Sequence, residues 1–280
     1  MAGYAHPEVL VETDWVEAHR ADPAVRLIEA DEAAALYDEG HIPHALRLHW
    51  KDDLQDPLIR DWVSRDRFAR LLGERGVSDR HTVVLYGDRN NWFAAYVFWL
   101  FKYFGHRDVR LLNGGRDRWL RDGRPLVSEV PRFPPVEYRP GGPESSLRAV
   151  RDEVLRRIGD PAVALVDVRS PAEFSGELLA PPAYPQEGAQ RGGHIPGARN
   201  IPWSENTLPD GRFKPAEELR RLYGAHGIRP EQEVIAYCRI GERSSLTWFT
   251  LKYLLGYERV RNYDGSWTEW GSLVAVPIER

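Results

Sequence analysis

One cysteine and one methionine occur in 280 residues. A single thiol excludes an internal disulfide, and no Cys/His spacing suits a structural zinc. There is no excess of positive charge: 38 Lys and Arg stand against 42 Asp and Glu, for a formal net charge of -4. A chain-wide pull on nucleic acid or on an anionic membrane is therefore not expected, and any preference for anions has to come from a local cluster. Long apolar runs are also missing. The most apolar stretch, Trp92 to Phe104, is too short to span a bilayer and carries Lys102, so it predicts a buried helix. Met1 to Glu12 has no basic segment followed by an apolar core. No secretory signal is expected, and the cytoplasm is the expected compartment. A lone cysteine is ordinarily a small buried hydrophobe, and only its neighbourhood can make it more.

What is present is a duplication. Gly40-His41-Ile42-Pro43-His44-Ala45 matches Gly193-His194-Ile195-Pro196-Gly197-Ala198, and Val83-Val84-Leu85-Tyr86 matches Val234-Ile235-Ala236-Tyr237. Lys102-Tyr103-Phe104-Gly105 parallels Lys252-Tyr253-Leu254-Leu255-Gly256, Asn113-Gly114 corresponds to Asp264-Gly265, and Trp119 to Trp270. Collinear matches at nearly one offset mean two copies of one domain. Between them, Gly123 to Ser146 holds Pro125, Pro131, Pro134, Pro135, Pro140, Pro143, Gly141 and Gly142. That composition disfavours helix and ladder pairing and predicts a stiff, extended connector. The expected division is a first domain over 1–124, a linker over 125–146 and a second domain over 147–280.

Within the second copy, Ala162 to Val168 and Val234 to Tyr237 read as buried strands. Ser245 to Leu255 reads as a helix with Gly256 just past its end. Strands interleaved with helices predict an α/β fold in which each domain is a mainly parallel sheet flanked by helices.

Tyr237-Cys238-Arg239-Ile240-Gly241-Glu242-Arg243-Ser244-Ser245 follows a strand and precedes a helix. Ligands of parallel sheets bind at the carboxyl ends of strands, where turning backbone and a helix N-terminus offer unpaired N–H groups to an anion. Adjacent cations and a helix N-terminus can lower a thiol pKa from about 8.5 into the range of about 3.5–7.5. Arg239 and Arg243 supply the cations, partly offset by Glu242; Gly241 permits φ > 0, and Ser244 and Ser245 are available as helix caps. Protein tyrosine phosphatases wrap a phosphate in a loop one residue longer between cysteine and arginine. Here the position of their arginine holds Ser244, and the tighter ring suits a single sulfur atom better than a phosphoryl group.

The loop Cys238-Arg239-Ile240-Gly241-Glu242-Arg243-Ser244 resembles the active-site loop of the tandem-domain thiosulfate sulfurtransferases, or rhodaneses. Asp167-Val168-Arg169-Ser170-Pro171, Gly193-His194-Ile195-Pro196-Gly197-Ala198 and Asp264-Gly265-Ser266-Trp267 are similar to the family's other signatures. The resemblance implies two rhodanese-like domains, the first catalytically silent and the second carrying the nucleophile. Position 87, which pairs with Cys238, is Gly, and Gly87-Asp88-Arg89-Asn90-Asn91-Trp92 has no nucleophile. The first copy is expected to form one wall of the cleft.

The resemblance further implies that the Cys238 thiolate takes the outer sulfur of thiosulfate as a persulfide, expels sulfite, and gives the sulfur to cyanide or a thiol, with no metal or organic cofactor. Backbone N–H groups of Ile240, Gly241, Glu242, Arg243 and Ser244 would cradle the persulfide. Partners are then a small anionic sulfur donor and a thiophilic acceptor, which includes a protein acceptor. Arg239 and Arg243 are candidates for the donor's oxygens; Arg243 has the alternative of turning inward to brace the loop. Asp167 and Arg169 are candidates for the cleft floor or for a structural ion pair. Trp267 is a candidate for the cleft or simple packing. His194 recurs as His41 in the copy without a nucleophile, so its expected role is structural. Some relatives carry a basic residue where this chain has Glu173, and lysine where it has Ile240; Arg191 is a candidate to compensate. A mercaptopyruvate sulfurtransferase and a persulfide relay to a protein partner are the alternatives.

Overall fold

The computed structural model describes residues 3–185 and 188–280. The chain divides into two compact units. The N-terminal unit is Glu8–Glu144 together with Thr207–Phe213; the C-terminal unit is Ser145–Asn206 and Lys214–Arg280, with the stretch ending at Pro7.

In the N-terminal unit the strands are β1 (Leu10–Val11), β2 (Val25–Glu29), β3 (Leu46–Arg47), β4 (Thr82–Tyr86) and β5 (Val109–Leu112), in spatial order β1-β5-β4-β2-β3. Its helices are α1 (Thr13–His19), α2 (Ala35–Glu39), α3 (Arg65–Glu74), α4 (Trp92–Tyr103) and α5 (Gly115–Arg121). The C-terminal unit has β6 (Val163–Asp167), β7 (Arg199–Asn200), β8 (Glu233–Tyr237) and β9 (Val260–Asn262), in order β7-β6-β8-β9. Around them run α6 (Arg151–Arg157), α7 (Pro171–Ser175), α8 (Ala216–Ala225), α9 (Glu242–Phe249) and α10 (Ser266–Trp270).

Every strand pair in both sheets is parallel. Central strands covered on both faces need apolar residues at successive positions, and the runs Val83-Val84-Leu85-Tyr86 and Val234-Ile235-Ala236-Tyr237 are fully buried. The register pairs β6 with β8 from Val163↔Glu233 to Asp167↔Tyr237, so both strands end at one edge. In the N-terminal unit β2 and β4 end together in the same way, at Glu29↔Tyr86. The apolar helix expected over Trp92 to Phe104 is α4, buried from Trp92 to Phe101. A helix apolar on all sides belongs inside a domain, and no helix among the described residues is long and apolar enough to cross a membrane.

Two features depart from the sequence expectations. The proline-rich stretch, expected to be a separate linker, forms no regular helix or ladder but is part of the N-terminal unit, which runs to Glu144. Val127 bridges His41, Val136 N donates to Gly73 O at 2.9 Å, and the Tyr138 hydroxyl meets His106 Nδ1 at 3.0 Å. Second, the helix expected to start at Ser245 starts at Glu242, with Gly241 as its N-cap, and passes into a π-helical turn over Thr250–Leu254. The two serines therefore lie inside the helix rather than capping it.

Candidate active site

At the end of β8 the chain turns through Cys238-Arg239-Ile240-Gly241 into α9. Gly241 has φ +98°, and a Cβ there would sit 2.7 Å from Asp264 Cα, so both conformation and space demand glycine. The neighbouring turn after β9 fastens this loop. Cys238 N donates to Ser266 Oγ at 3.1 Å, and the Ser266 hydroxyl in turn donates to Tyr263 O at 2.6 Å. Trp267 N donates to Cys238 O and Thr268 N to Arg239 O, both at 3.1 Å. Asp264 holds Arg148 through two bonds of 2.9 and 3.0 Å.

Inside the loop, Gly241 N points at Cys238 Sγ at 3.1 Å, and Glu242 Oε2 lies 3.3 Å from the same sulfur. Cys238 is fully buried. Burial pushes its thiol above the ordinary value, and the Glu242 charge adds to that; Arg243 and hydrogen bonding from Ser244 pull the other way. The expected depression of the thiol pKa is thus reversed in the resting site. The arginines that were to depress it face carboxylates. Arg243 makes a two-pronged pair with Glu173, 3.0 Å on each arm, and its Nε is 3.8 Å from Glu242 Oε1. Arg239 Nη2 meets Glu242 Oε1 at 3.2 Å, and its guanidinium stacks 4.5 Å over the Tyr184 ring.

Glu173 was read from the sequence only as a lost positive charge. It is the partner of Arg243, and it is fixed by a capping box: Ser170 N and Oγ donate to Glu173 Oε2 at 3.1 and 2.9 Å, with Pro171 opening α7. The Ser-Pro-Ala-Glu spacing at a helix start was the signal available for it. Arg243 is in the position of a brace, its fork spent on this carboxylate rather than open to a donor anion.

Asp167 and Arg169 form a buried pair at the end of β6, with Arg169 Nη2 2.6 Å from Asp167 Oδ2 and 2.7 Å from Gly193 O. Its guanidinium lies 4.5 Å over the Trp267 ring. Asp167, Arg169 and Trp267 are therefore one connected stack. Arg191 does not join them through its guanidinium, which bonds the Leu273 carbonyl; its backbone oxygen accepts from Trp267 Nε1 at 3.0 Å. Ser244 Oγ donates to Asn262 Oδ1 at 2.7 Å, and Asn262 Nδ2 donates to Gly241 O at 3.0 Å, tying α9 to β9. His194 stacks on Phe174 with Nδ1 3.0 Å from Phe174 O, and His41 likewise stacks on Tyr37 with Nδ1 2.9 Å from Tyr37 O. Both histidines hold the same turn.

The N-terminal copy repeats the frame and changes the contents. Ile42 N donates to the Tyr86 hydroxyl as Ile195 N does to Tyr237, and Arg116 N donates to Gly87 O as Trp267 N does to Cys238 O. The guanidinium under the loop comes from Arg116, paired with Glu29 at 2.5 Å. Asn91 Oδ1 accepts from Gly87 N at 3.0 Å. Burial, and then Glu29 and Asp88, push the Asp31 carboxyl up to about 9. A Cβ on Gly87 would stand 2.1 Å from the Ala30 carbonyl oxygen. Gly87→Cys is accordingly expected to destabilise the chain by about 1–3 kcal/mol in denaturant titration and to add no second sulfur-accepting thiol. A stable variant carrying two adducts would contradict this.

The C-terminal unit thus ends a central parallel strand in a tight turn that encloses a buried cysteine. The rhodanese-like domain profile matches residues 12–122 and 150–273, and the chain belongs to the rhodanese sulfurtransferase family, with two rhodanese domains. It is 58% identical over 281 residues to "Sulfur carrier protein TtuD" of Thermus thermophilus, covering 99% of each chain. It is 55% identical over 275 residues to "Putative thiosulfate sulfurtransferase" of Mycolicibacterium smegmatis, covering 98% of this chain and 99% of that one. Among solved structures, the anaerobic ergothioneine biosynthesis enzyme from Chlorobium limicola, in complex with trimethyl histidine, superposes with a TM-score of 0.86 at 25% identity. That match covers 99% of this chain and 71% of that one.

Proposed function

We propose that the protein moves the outer sulfur of thiosulfate through a Cys238 persulfide to cyanide or a thiol. The observation that carries this reading is the chain's one thiol at a strand end, with Gly241 N 3.1 Å from its sulfur. The Cys238 sulfur attacks the outer sulfur of thiosulfate, the S–S bond of the donor breaks, and sulfite leaves with the electron pair. An acceptor then attacks the outer sulfur of the persulfide and returns the electron pair to Sγ. Splitting the transfer in two makes each displacement easier, and N–H groups from Ile240 to Ser244 stabilise the sulfur anion as an oxyanion hole stabilises oxygen. Arg239 is the residue assigned to the donor's oxygens, and Arg243 the brace that holds the loop against α7. The N-terminal domain is non-catalytic in this scheme.

A second reading, delivery of the persulfide sulfur to a protein acceptor, draws support from the relative named as a sulfur carrier. Intact-mass spectrometry after exposure to thiosulfate or to 3-mercaptopyruvate tests the proposal. The expected result is a one-sulfur adduct from thiosulfate with release of sulfite, discharged by cyanide as thiocyanate. Faster loading from mercaptopyruvate overturns the donor assignment, and no adduct from either donor overturns sulfur transfer. Slow discharge to every small acceptor with fast discharge to a protein thiocarboxylate or thiol favours the relay.

A further inference from the structure

Resting on that reading, we infer that the Glu242 side chain holds the Cys238 proton while the sulfur is being carried: Oε2, 3.3 Å from Sγ, is the built-in base of the thiol. The arrangement is specific. Glu242 is the first residue of α9 and its carboxylate is turned back over the loop, with only 2% of the side chain exposed. One oxygen, Oε1, is engaged by Arg239 at 3.2 Å and faces Arg243 Nε at 3.8 Å. That leaves Oε2 for the sulfur. The other charged groups around the loop are already matched in pairs: Glu173 with Arg243, Asp264 with Arg148, and Asp167 with Arg169. Glu242 is the carboxylate in contact with the sulfur itself.

Electrostatics supports the assignment. A sulfur anion and a carboxylate 3.3 Å apart in a buried site repel each other, and a proton shared between them relieves that repulsion as it does for paired carboxylates. The free site holds one proton between Sγ and Oε2, resting on sulfur because burial and Glu242 both disfavour the thiolate. Loading moves that proton from Sγ to Oε2 as the new S–S bond forms and sulfite departs with its electron pair. The product is a persulfide anion beside a neutral carboxyl that donates to it. When cyanide removes the outer sulfur, the electron pair returns to Sγ and the proton moves back from Oε2. Charge and protons balance over the cycle without exchange with solvent. This also answers how a thiol with a raised pKa serves as a nucleophile: it is ionised locally, at the moment of attack.

The test is proton counting in a single turnover, by an indicator dye in weak buffer at a pH where sulfite is fully ionised. Wild-type protein mixed with thiosulfate is expected to load its sulfur with no proton released. Glu242→Gln keeps a hydrogen-bond donor for the persulfide but cannot take the proton, so it is expected to release about one proton per persulfide. Its loading rate is then expected to climb about tenfold per pH unit below the thiol pKa, where the wild-type rate stays flat. Release of about one proton by the wild type, or of none by Glu242→Gln, overturns the assignment. Should Glu242→Gln fail to fold, infrared difference spectra of the wild type decide the matter. Appearance of a protonated-carboxyl band on loading supports it, and its absence overturns it. Lack of any one-sulfur adduct on wild-type Cys238 would instead sink the sulfur-transfer reading beneath it.

Discussion

Cys238→Ser is expected to fold as the parent does and to lose sulfur transfer by about 10⁴-fold or more. The loop does not depend on the thiol for its shape. Cys238 N is held by Ser266, its carbonyl by Trp267, and Gly241 is fixed by its own conformation and by contact with Asp264. A serine hydroxyl is smaller than a thiol and accepts the Gly241 N–H equally well, so the unfolding free energy is expected to stay within about 1 kcal/mol of the parent. The chemistry has no such tolerance. A hydroxyl at this position would have to ionise beside Glu242, in a site that already disfavours the more acidic thiol. No second cysteine exists to take over. Thiocyanate formation and intact mass, measured together with a denaturant titration, check both halves. A variant that still gains sulfur would place the acceptor elsewhere, and one that is grossly destabilised would show the thiol to be structural.

How much of this was legible in the sequence depends on whether the two copies agree. Where they share a residue, its role is frame. The repeated Gly-His-Ile-Pro gave the turn, and Tyr86 and Tyr237 each receive the isoleucine N–H of that turn. The parallel strands followed from continuous apolar runs, because a strand buried on both faces has no polar alternation to hide. Where the copies differ, the differences mark the site, but not all of them could be ranked in advance. Ser266 stands where the first copy has Gly115, and both adopt a left-handed conformation, φ +53° and +57°. Keeping a serine in a conformation that glycine takes without strain is explained by its hydroxyl on Cys238 N.

The Asp167–Arg169 pair was among the sequence readings, but the Glu173 partner of Arg243 was missed. Arg243 and Glu173 are 70 positions apart, and nothing local to the Cys238 loop signals that a carboxylate from α7 will reach it. The same blindness covers Tyr184 beneath Arg239. It also covers Thr207–Phe213, which belongs to the N-terminal unit through Phe213 N on Asn113 Oδ1 at 3.0 Å and Asp210 on Arg118. Counting arginines near the cysteine therefore overstated the positive field at the sulfur, since carboxylates oppose both Arg239 and Arg243.

Glu173→Ala is expected to cost about 3–5 kcal/mol, because it strands the Arg243 guanidinium in a buried position. Only 6% of the Arg243 side chain is exposed, and the remaining carboxylate, Glu242, is 3.8 Å from Nε and already engaged by Arg239. Burial alone would raise the pKa of Glu173. The Arg243 fork and the Ser170 donors outweigh it and hold the carboxyl at about 2, against an ordinary value of 4.5. A carboxylate whose folded pKa is depressed contributes its stability above the unfolded value and loses it as pH falls through the folded one. The stability gap between wild type and Glu173→Ala is thus expected to be full at neutral pH and to shrink as pH drops from about 4.5 to about 2. Adding Arg243→Ala to Glu173→Ala is expected to recover part of the loss, since the double variant buries no unpaired charge. Denaturant titrations of the three variants across that acid range measure each of these terms. A gap that does not narrow in acid would mean that packing of the Glu173 stem, rather than its charge, is what α7 contributes to the loop. The fork would then be an incidental pairing, and the rigidity of the Cys238 cradle would have to come from its fastenings to the turn after β9 and to Asn262.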